Sequence, residues 1–259
     1  MAKAWVAHNG QVWVCEGSPP QQGVPWSPVV GLLQGIFDQL KDNSFFVLRR
    51  PIFCDYEPTP MCRGMTKVVA KRLTPALFCK DLGAYLFIQN NMSDMSGDVR
   101  HETKDRAAMD AVTLEGIDGG FEFCQRLVET HVTRGPILHD HDRPIAAVLT
   151  DANLRILHWA VNTNHLNKTL HAEVNLIQSW FLKTKKALPE GAHLFVSTKP
   201  CRMCAGMVWQ TAQNPLQIHI HFQSHQAPFG RMSTNTVFDV SSFERQLALS
   251  KLNISRLKA

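Results

Sequence analysis

Three features are missing from this 259-residue sequence, and each absence excludes a class of protein. No uninterrupted apolar stretch approaches the roughly 18 residues that suggest a membrane span. The opening residues, MAKAWVAHNG, lack the basic start and apolar run of a secretory signal. No low-complexity tract is present, and a composition of 44% hydrophobic and 19% charged residues is that of a globular protein. We therefore expect a cytoplasmic protein with no membrane partner.

A disulfide framework is also missing. The seven cysteines are odd in number and scattered along the chain, whereas a disulfide-rich domain carries an even number at regular spacing. We expect thiols, or thiolates on a metal. Cys15, Cys54, Cys79 and Cys124 are interpreted as small buried residues.

The sequence has only a small excess of one charge: its net charge is +5. Residues 1–112 carry 12 basic against 11 acidic side chains, and residues 113–259 carry 15 against 11. An anionic partner is therefore expected on the C-terminal half, although a solvated surface would carry the same small excess. The tail KLNISRLKA has no acidic residue near its basic ones, so the candidate nucleic-acid contacts are Lys251, Arg256 and Lys258.

Strand and helix patterns alternate in the C-terminal half, which predicts α/β layering. The strands are predicted at 145–161 (two strands around a turn at 151–153), 193–198 and 217–222. The helices are predicted at 120–134, 171–186, 201–213 and 241–254. The polar segment 91–118 indicates a boundary, so the expected domains are 1–112 and 113–259.

The motif richest in chemistry is His171-Ala-Glu173, followed by Pro200-Cys201-Arg-Met-Cys204. The two cysteines are three residues apart at a helix start, so their sulfur atoms share a face and the helix dipole favours thiolates. One histidine and two cysteines match a catalytic zinc site with a position left for water, whereas a structural site needs a fourth protein ligand. We therefore predict Zn²⁺ as the cofactor, with His171, Cys201 and Cys204 as its ligands.

Glu173 lies two residues beyond the histidine and is available as a base. It would take a proton from water, deliver it to a ring nitrogen of the substrate and protonate the departing ammonia. This sequence of steps is hydrolytic deamination, and the same signature occurs in nucleobase deaminases.

Each motif has an ordinary explanation by itself. A CxxC pair can be redox-active or simply packed, and HAE can be no more than a helix start. Together, each before a helix and with a strand between them, they favour a deaminase site. Histidines elsewhere receive ordinary interpretations: His139 and His141 as a solvated loop, and His219 and His221 as one polar face of a strand.

With these motifs, the sequence resembles the zinc-dependent cytidine/adenosine deaminase superfamily over about residues 120–259. The stretch LFVSTKPCRMCAGM looks most like the tRNA-adenosine deaminase and guanine deaminase branches, where a strand ends in PCxMCxG. The resemblance implies a three-layer αβα cytidine-deaminase-like fold with a mixed five-strand sheet. It also implies substrate contacts by Asn162, Ala172 and Pro200.

Two departures from these branches concern the substrate side. Lys199 stands where they usually carry Glu, and the loop between Asn162 and His171 is shortened. The identity of the base therefore stays open.

The sequence of the N-terminal half repeats that of the C-terminal half, but without the candidate catalytic residues. An offset of 142 aligns Pro58–Met65 with Pro200–Met207, and an offset of 144 aligns Leu32-Leu33-Gln34 with Leu176-Ile177-Gln178. In this frame Ser27 replaces His171, Val29 replaces Glu173, Thr59 replaces Cys201, and Cys62 matches Cys204. Two α/β segments also share periodicity by chance. We predict a duplication, with a degenerate, zinc-free deaminase-like domain that packs on the catalytic half as an internal pseudo-dimer.

The leading functional hypothesis is zinc-dependent deamination of a nucleobase in tRNA or another nucleic acid, adenosine to inosine or cytidine to uridine. The first alternative is a deaminase of a free base, nucleoside or nucleotide. The second is a zinc-stabilised nucleic-acid-binding module without turnover, against which the intact Glu173 argues.

Overall fold

The structure, a computed structural model, describes residues 1–70, 77–78, 92–94, 112–131, 144–224 and 253–256. These residues form two five-stranded sheets with helices packed between them. None of the described helices has both the length and the apolar character that crossing a membrane requires. Tail residues Lys251 and Lys258 lie outside the described residues, as do His139, His141 and Cys79.

The first sheet belongs to the N-terminal half. Its elements are β1 (Ala2–His8), β2 (Gln11–Gly17), α1 (Pro28–Leu40), α2 (Ser44–Leu48), β3 (Ile52–Cys54), α3 (Pro60–Val69), β4 (Leu77–Phe78) and β5 (Met92–Asp94). Asn9 and Gly10, both with positive φ, close the hairpin between β1 and β2, as an Asn-Gly pair favours. Ser27 and Thr59 each precede a proline and cap α1 and α3 with their hydroxyl groups.

The second sheet belongs to the C-terminal half. Its elements are α4 (Gly116–His131), β6 (Ala146–Thr150), β7 (Ile156–Val161), α5 (Ala172–Thr184), β8 (His193–Thr198), α6 (Arg202–Thr211), β9 (His219–Ser224) and β10 (Asn253–Arg256). Helix α4 covers one face of the sheet, and α5 and α6 cover the other. The predicted α/β layering and mixed five-strand sheet are confirmed.

Several predicted boundaries were wrong by a few residues. Helix α4 begins at Gly116 and not at 120, and α6 ends at Thr211 because Ala212 leaves the helix to pair with Leu188. Strand β9 begins at His219, because the preceding residues form a short 3-10 turn. The predicted helix 241–254 was wrong for residues 253 and 254, which lie in β10. The rest of that prediction lies outside the described residues.

Four strands of the two sheets have the same order and the same pairing. The first sheet runs β4-β3-β1-β2 and the second runs β9-β8-β6-β7. In both, the central strand is antiparallel to its two neighbours, and the outer pair beyond it is parallel. The fifth strand sits at opposite edges, as β5 beside β2 and as β10 beside β9. A duplicated unit would give this common order.

The helical layers of the two halves pack against each other and share one hydrophobic cluster. Helices α3 and α6 approach closely at Gly64 and Gly206, which are equivalent under the offset of 142. A Cβ on Gly64 would lie 2.5 Å from the carbonyl oxygen of Arg202, and one on Gly206 would lie 2.6 Å from that of Pro60. This reciprocal contact needs glycine on both helices, and it is the contact that two helices related by an approximate twofold axis would make.

A second reciprocal contact joins α1 and α5. Gln34 Nε2 donates to Gln178 Oε1 at 2.9 Å, and Gln178 Nε2 donates to Gln34 Oε1 at 3.2 Å. Both side chains are buried, and the two residues are equivalent under the offset of 144. The amide groups therefore satisfy each other inside the interface between the halves.

Candidate metal centre and active site

Two helix N-termini bring the predicted metal ligands together. His171 is the N-cap residue of α5, Cys201 is the N-cap residue of α6, and Cys204 lies in the first turn of α6. The Nδ1 atom of His171 is 3.6 Å from each cysteine sulfur, and the two sulfur atoms are 3.5 Å apart. Among the described residues, these three form the one group of histidine, cysteine and acidic side chains arranged to hold a metal ion.

These distances fit a zinc ion. With Zn–S bonds of about 2.3 Å and Zn–N bonds of about 2.0–2.1 Å, tetrahedral ligands lie roughly 3.6–3.8 Å from one another. The observed spacing of 3.5–3.6 Å is close to this range. Three ligands of this type are also what a catalytic zinc site uses, because a structural site would take a fourth side chain.

The pKa shifts at this site show how closely its groups interact. Burial, together with the nearby Cys201, raises the pKa of Glu173 to about 7. The hydrogen bond with Cys204 lowers the pKa of Cys201 well below its usual value, and His171 adds to this effect. Burial, together with the bond to Cys201, raises the pKa of Cys204. The lowered pKa of Cys201 favours its thiolate form, which is the form in which a cysteine binds a metal ion.

Glu173 lies in the first turn of α5 and is buried beside the cysteines. Its carboxyl group and the Cys204 side chain interact, since each shifts the pKa of the other. The spacing of two residues from His171 therefore places a carboxyl group next to the candidate metal ligands, where it can carry a proton for a group bound there.

The active-site loop, which we define as residues 162–171, brings Asn162 near His171. Its two ends meet where the Thr163 amide donates to the Leu170 carbonyl at 3.1 Å. Asn175 on α5 holds the same ends, because its Nδ2 atom donates to the Val161 carbonyl at 2.9 Å and to Thr163 Oγ1 at 2.7 Å. Asn162 thus lies at the start of this closed loop and His171 at its end.

The other predicted substrate residues flank the ligands. Ala172 is the first residue of α5 and Pro200 precedes the Cys201 cap, and both are buried. Lys199, where related branches usually carry Glu, has its ammonium group 5.9 Å from the centre of the Phe222 ring. Arg256 lies in β10, at the edge of the same sheet.

The residues predicted to replace the ligands in the N-terminal half also meet. Ser27 Oγ lies 3.1 Å from the Cys62 sulfur, and Thr59 Oγ1 lies 3.3 Å from it. The Tyr56 hydroxyl is 3.7 Å from the same sulfur and accepts a hydrogen bond from the Val29 amide. We call these residues, Ser27, Tyr56, Thr59 and Cys62, the hydroxyl cluster. Hydroxyl groups occupy the places that imidazole and thiol groups take at α5 and α6.

Three residues that shape these sites were not found by sequence reasoning. Tyr56 is separated from Ser27 by two helices and a strand, so no local pattern places it in the hydroxyl cluster. Asn167 and Asn175 fix the active-site loop through buried hydrogen bonds. One signal was available: Asn175 is a polar residue among the buried positions of α5, and such a residue needs partners.

The predicted ordinary roles of other residues have mixed outcomes. Cys15, Cys54 and Cys124 are buried, as predicted, and the described cysteines form no disulfide. His219 and His221 do share a face of β9, but His221 is buried there, with its ring stacked on Phe195 at 4.8 Å.

The known proteins to which this chain is similar include several deaminases. A family model for Bd3614-like deaminases matches residues 136–249. A structure from a study of A-to-I editing by tRNA:A34 deaminases at the wobble position of transfer RNA is 26% identical. It covers 34% of this chain and 65% of that chain, with a TM-score of 0.28.

Two further structures resemble larger parts of the chain. A guanine deaminase from Nitrosomonas europaea is 13% identical, covers 61% of this chain and 88% of that chain, and has a TM-score of 0.43. A dCMP deaminase from the cyanophage S-TIM5 is 16% identical, covers 54% of this chain and 95% of that chain, and has a TM-score of 0.34. No curated protein sequence matches the chain.

Proposed function

We propose that the chain is a member of the cytidine/adenosine deaminase superfamily and a zinc-dependent hydrolase that deaminates a nucleobase in tRNA or another nucleic acid. The observation that carries this proposal is the group formed by His171, Cys201 and Cys204, whose ligand atoms all lie within 4.8 Å of one another, with the buried Glu173 beside it. This combination supports both a metal ion and a proton carrier.

Each residue of the candidate site has its own role in the proposed reaction. His171, Cys201 and Cys204 would hold Zn²⁺, which lowers the pKa of water to about 7 and so supplies a nucleophile at neutral pH. Glu173 passes a proton to a ring nitrogen as water adds to the amino-bearing carbon. It then takes the proton of the newly formed hydroxyl group and gives it to the amino group, the C–N bond breaks, and ammonia leaves. Asn162, Ala172 and Pro200 contact the base or its sugar.

Two weak features favour a nucleic-acid substrate. The C-terminal half carries the excess of basic residues, and Arg256 with Lys251 and Lys258 lies in a tail without acidic neighbours. A specific observation favours the second candidate, a free base, nucleoside or nucleotide: Asn162, Ala172 and Pro200 are all buried, which suits a small substrate enclosed by the protein. The third candidate, a binding module without turnover, gives no role to the buried Glu173.

The N-terminal half, residues 1–112 in our division, is proposed as a degenerate copy that acts as an internal dimer partner. The common strand order supports this, as do the reciprocal glycine contact and the Gln34–Gln178 pair. The interface is largely apolar, because buried side chains of both halves form one cluster.

The experiment that tests the catalytic proposal compares Glu173→Gln with the unchanged protein. Ammonia release is measured with tRNA, single-stranded DNA, cytidine, adenosine and guanine, and zinc is counted per chain. We expect Glu173→Gln to keep its zinc and to lose activity by a factor on the order of 10² or more, because the proton carrier is gone. Glu122→Gln, the same change at an exposed position of α4, is the control and should lose nothing. Full turnover by Glu173→Gln would refute the mechanism.

Salt dependence separates the two substrate classes. Binding through phosphates weakens steeply with salt, and neutralising Lys251, Arg256 and Lys258 should flatten that slope. Turnover of a free base together with salt-insensitive tRNA binding would establish the second candidate.

A further inference from the structure

We infer that Asn167 is a positioning residue through which the N-terminal half fixes the active-site loop. The inference rests on the proposed function for its consequence in catalysis, but its structural part can be tested independently. Asn167 stands in the middle of the loop, between the candidate substrate residue Asn162 and the candidate ligand His171.

The Asn167 side chain uses both ends of its amide group. Its Oδ1 atom accepts from the Thr169 amide at 3.1 Å and from the Thr169 hydroxyl at 2.8 Å, which shapes the loop internally. Its Nδ2 atom donates at 2.9 Å to the carbonyl oxygen of Gln34, in α1 of the other half. Both Asn167 and Thr169 are buried, so these bonds are protected from competing water.

Gln34 is itself held in place. Its side chain makes the reciprocal amide pair with Gln178, and Gln178 Nε2 also lies 3.3 Å from the Pro25 carbonyl. Gln34 therefore joins α1 to α5 through its side chain and to the active-site loop through its backbone. His171, a candidate metal ligand, is the N-cap residue of α5 and the last residue of the active-site loop. Both of the elements that Gln34 contacts therefore carry this ligand.

A second contact brings the loop to the same half. The Lys168 ammonium group lies 5.0 Å from the centre of the Phe45 ring in α2. Adjacent loop residues thus meet two helices of the N-terminal half. The consequence is a division of labour: the C-terminal half supplies the chemistry, and the N-terminal half holds the loop on which the substrate contact and the histidine ligand depend.

The test replaces Asn167 by Asp and by Ala. Asn167→Asp keeps the acceptor for Thr169 but puts a carboxylate oxygen against the Gln34 carbonyl. It therefore breaks only the hydrogen bond to Gln34, which we call the anchor. Asn167→Ala removes both sets of bonds. Thr169→Val spares the anchor and removes only the hydroxyl bond within the loop. Asn153→Asp, the same chemical change in an exposed turn, is the matched control.

The main readout is amide hydrogen exchange in the segment 163–170 of the full-length protein, together with zinc content. We expect exchange to accelerate about fivefold to tenfold in Asn167→Asp and in Asn167→Ala, the factor that loss of one hydrogen bond gives. Thr169→Val, which loses one hydroxyl bond and keeps the bond to Gln34, should accelerate exchange less than Asn167→Ala does. The control should stay within about twofold, and every variant should keep its zinc. Exchange in Asn167→Asp equal to that of the unchanged protein would overturn the inference.

Kinetics then separate positioning from general destabilisation. With whichever of the five substrates the unchanged protein turns over, Asn167→Asp should raise KM about fivefold to tenfold and leave kcat within about twofold, because a loosened loop weakens substrate binding. A fall in kcat with unchanged KM would contradict this part. If the unchanged protein releases no ammonia from any of the five substrates, the proposed function fails while the exchange result still decides the anchor.

Discussion

The helix pair α1 and α3 and the helix pair α5 and α6 offer the same frame for a site, and the two pairs use it differently. In the N-terminal half, Ser27 and Thr59 cap their helices by accepting from the amides of Val30 and Cys62. In the C-terminal half, His171 and Cys201 occupy the cap positions and make no such capping bond. The difference teaches that the cap positions on this frame can either stabilise the helix or, as we propose for the C-terminal half, bind a metal ion.

The energies involved indicate why the two uses exclude each other. A capping side chain contributes about 1 kcal/mol to helix stability, and the C-terminal half forgoes two such contributions. Metal binding can offset that loss, because the free energy of binding to folded ligands adds to the stability of the fold. The N-terminal half keeps both capping hydrogen bonds, and the Tyr56 hydroxyl lies against the thiol of Cys62.

The largest expected effect comes from removing one ligand. Cys204→Ser replaces a thiolate by a poor zinc ligand, so zinc content should fall from about one per chain to near zero, and activity and stability should fall with it. Cys62→Ser makes the same change at the equivalent position of the hydroxyl cluster and should leave the zinc content unchanged. Metal analysis and thermal unfolding measure both variants. Equal zinc loss in the two variants would contradict the assignment of the site.

Restoring the missing ligands should create a second site. The triple variant Ser27→His, Tyr56→Thr and Thr59→Cys gives each position the residue found at its equivalent in the C-terminal half. With Cys62 already present, zinc content should rise from about one to about two per chain. Ser27→His alone, which lacks the second thiol, is the control and should stay at about one. A folded triple variant that still binds a single zinc ion would count against the equivalence of the two sites.

The two interface glycines test the approximate twofold axis. Gly64→Ala and Gly206→Ala each place a methyl group within 2.6 Å of a backbone oxygen on the opposite helix. Each should lower the free energy of unfolding by about 1–3 kcal/mol, and by similar amounts, because the contacts are reciprocal. Gly119→Ala, in helix α4 with its nearest neighbour at 3.7 Å, should be neutral or stabilising. Chemical denaturation measures all three, and a cost confined to one interface glycine would argue against the axis.

The smallest expected effect is a pH dependence that arises in the second sheet. His221 Nε2 lies 2.9 Å from His193 Nδ1, and the rings of His193 and His219 stack at 4.7 Å. Burial, with His193 and His219 nearby, lowers the pKa of His221 from 6.5 to about 4. The unfolded chain therefore takes up this proton at higher pH than the folded protein, so stability is complete above about pH 6.5 and falls as the pH drops toward 4.

The size of this loss is on the order of 1–2 kcal/mol, because partial solvent contact screens the group. Denaturation at pH 7 and at pH 4.5 measures it. His221→Gln should reduce the difference between the two pH values, and a variant with the same difference as the unchanged protein would assign the effect elsewhere.

The sequence predicted the features that local patterns encode. Helix starts at His171 and Cys201 follow from spacing and from the strand between them, and the offset alignment places Ser27, Thr59 and Cys62 at one site. Contacts between residues distant in the chain were not predictable in this way. Gln34 and Gln178 are 144 residues apart, and their amide groups meet only because two helices pack.

Helix α4 shows how packing overrides a local preference. Three of its first five residues, Gly116, Gly119 and Gly120, are poor helix formers. Yet a Cβ on Gly120 would lie 2.3 Å from the Phe195 ring, so close packing of the helix on β8 requires glycine there. The helix accepts a weak local propensity and gains a tight contact with the sheet.

The central claim, that one half carries a zinc centre and the other keeps only its frame, is tested most directly by X-ray absorption at the zinc edge together with metal analysis of the intact protein. The account predicts about one zinc ion per chain, with two sulfur neighbours at about 2.3 Å and two nitrogen or oxygen neighbours at about 2.0–2.1 Å. A shell of three or four sulfur atoms, two zinc ions per chain, or no zinc after purification in zinc-supplemented buffer would contradict it.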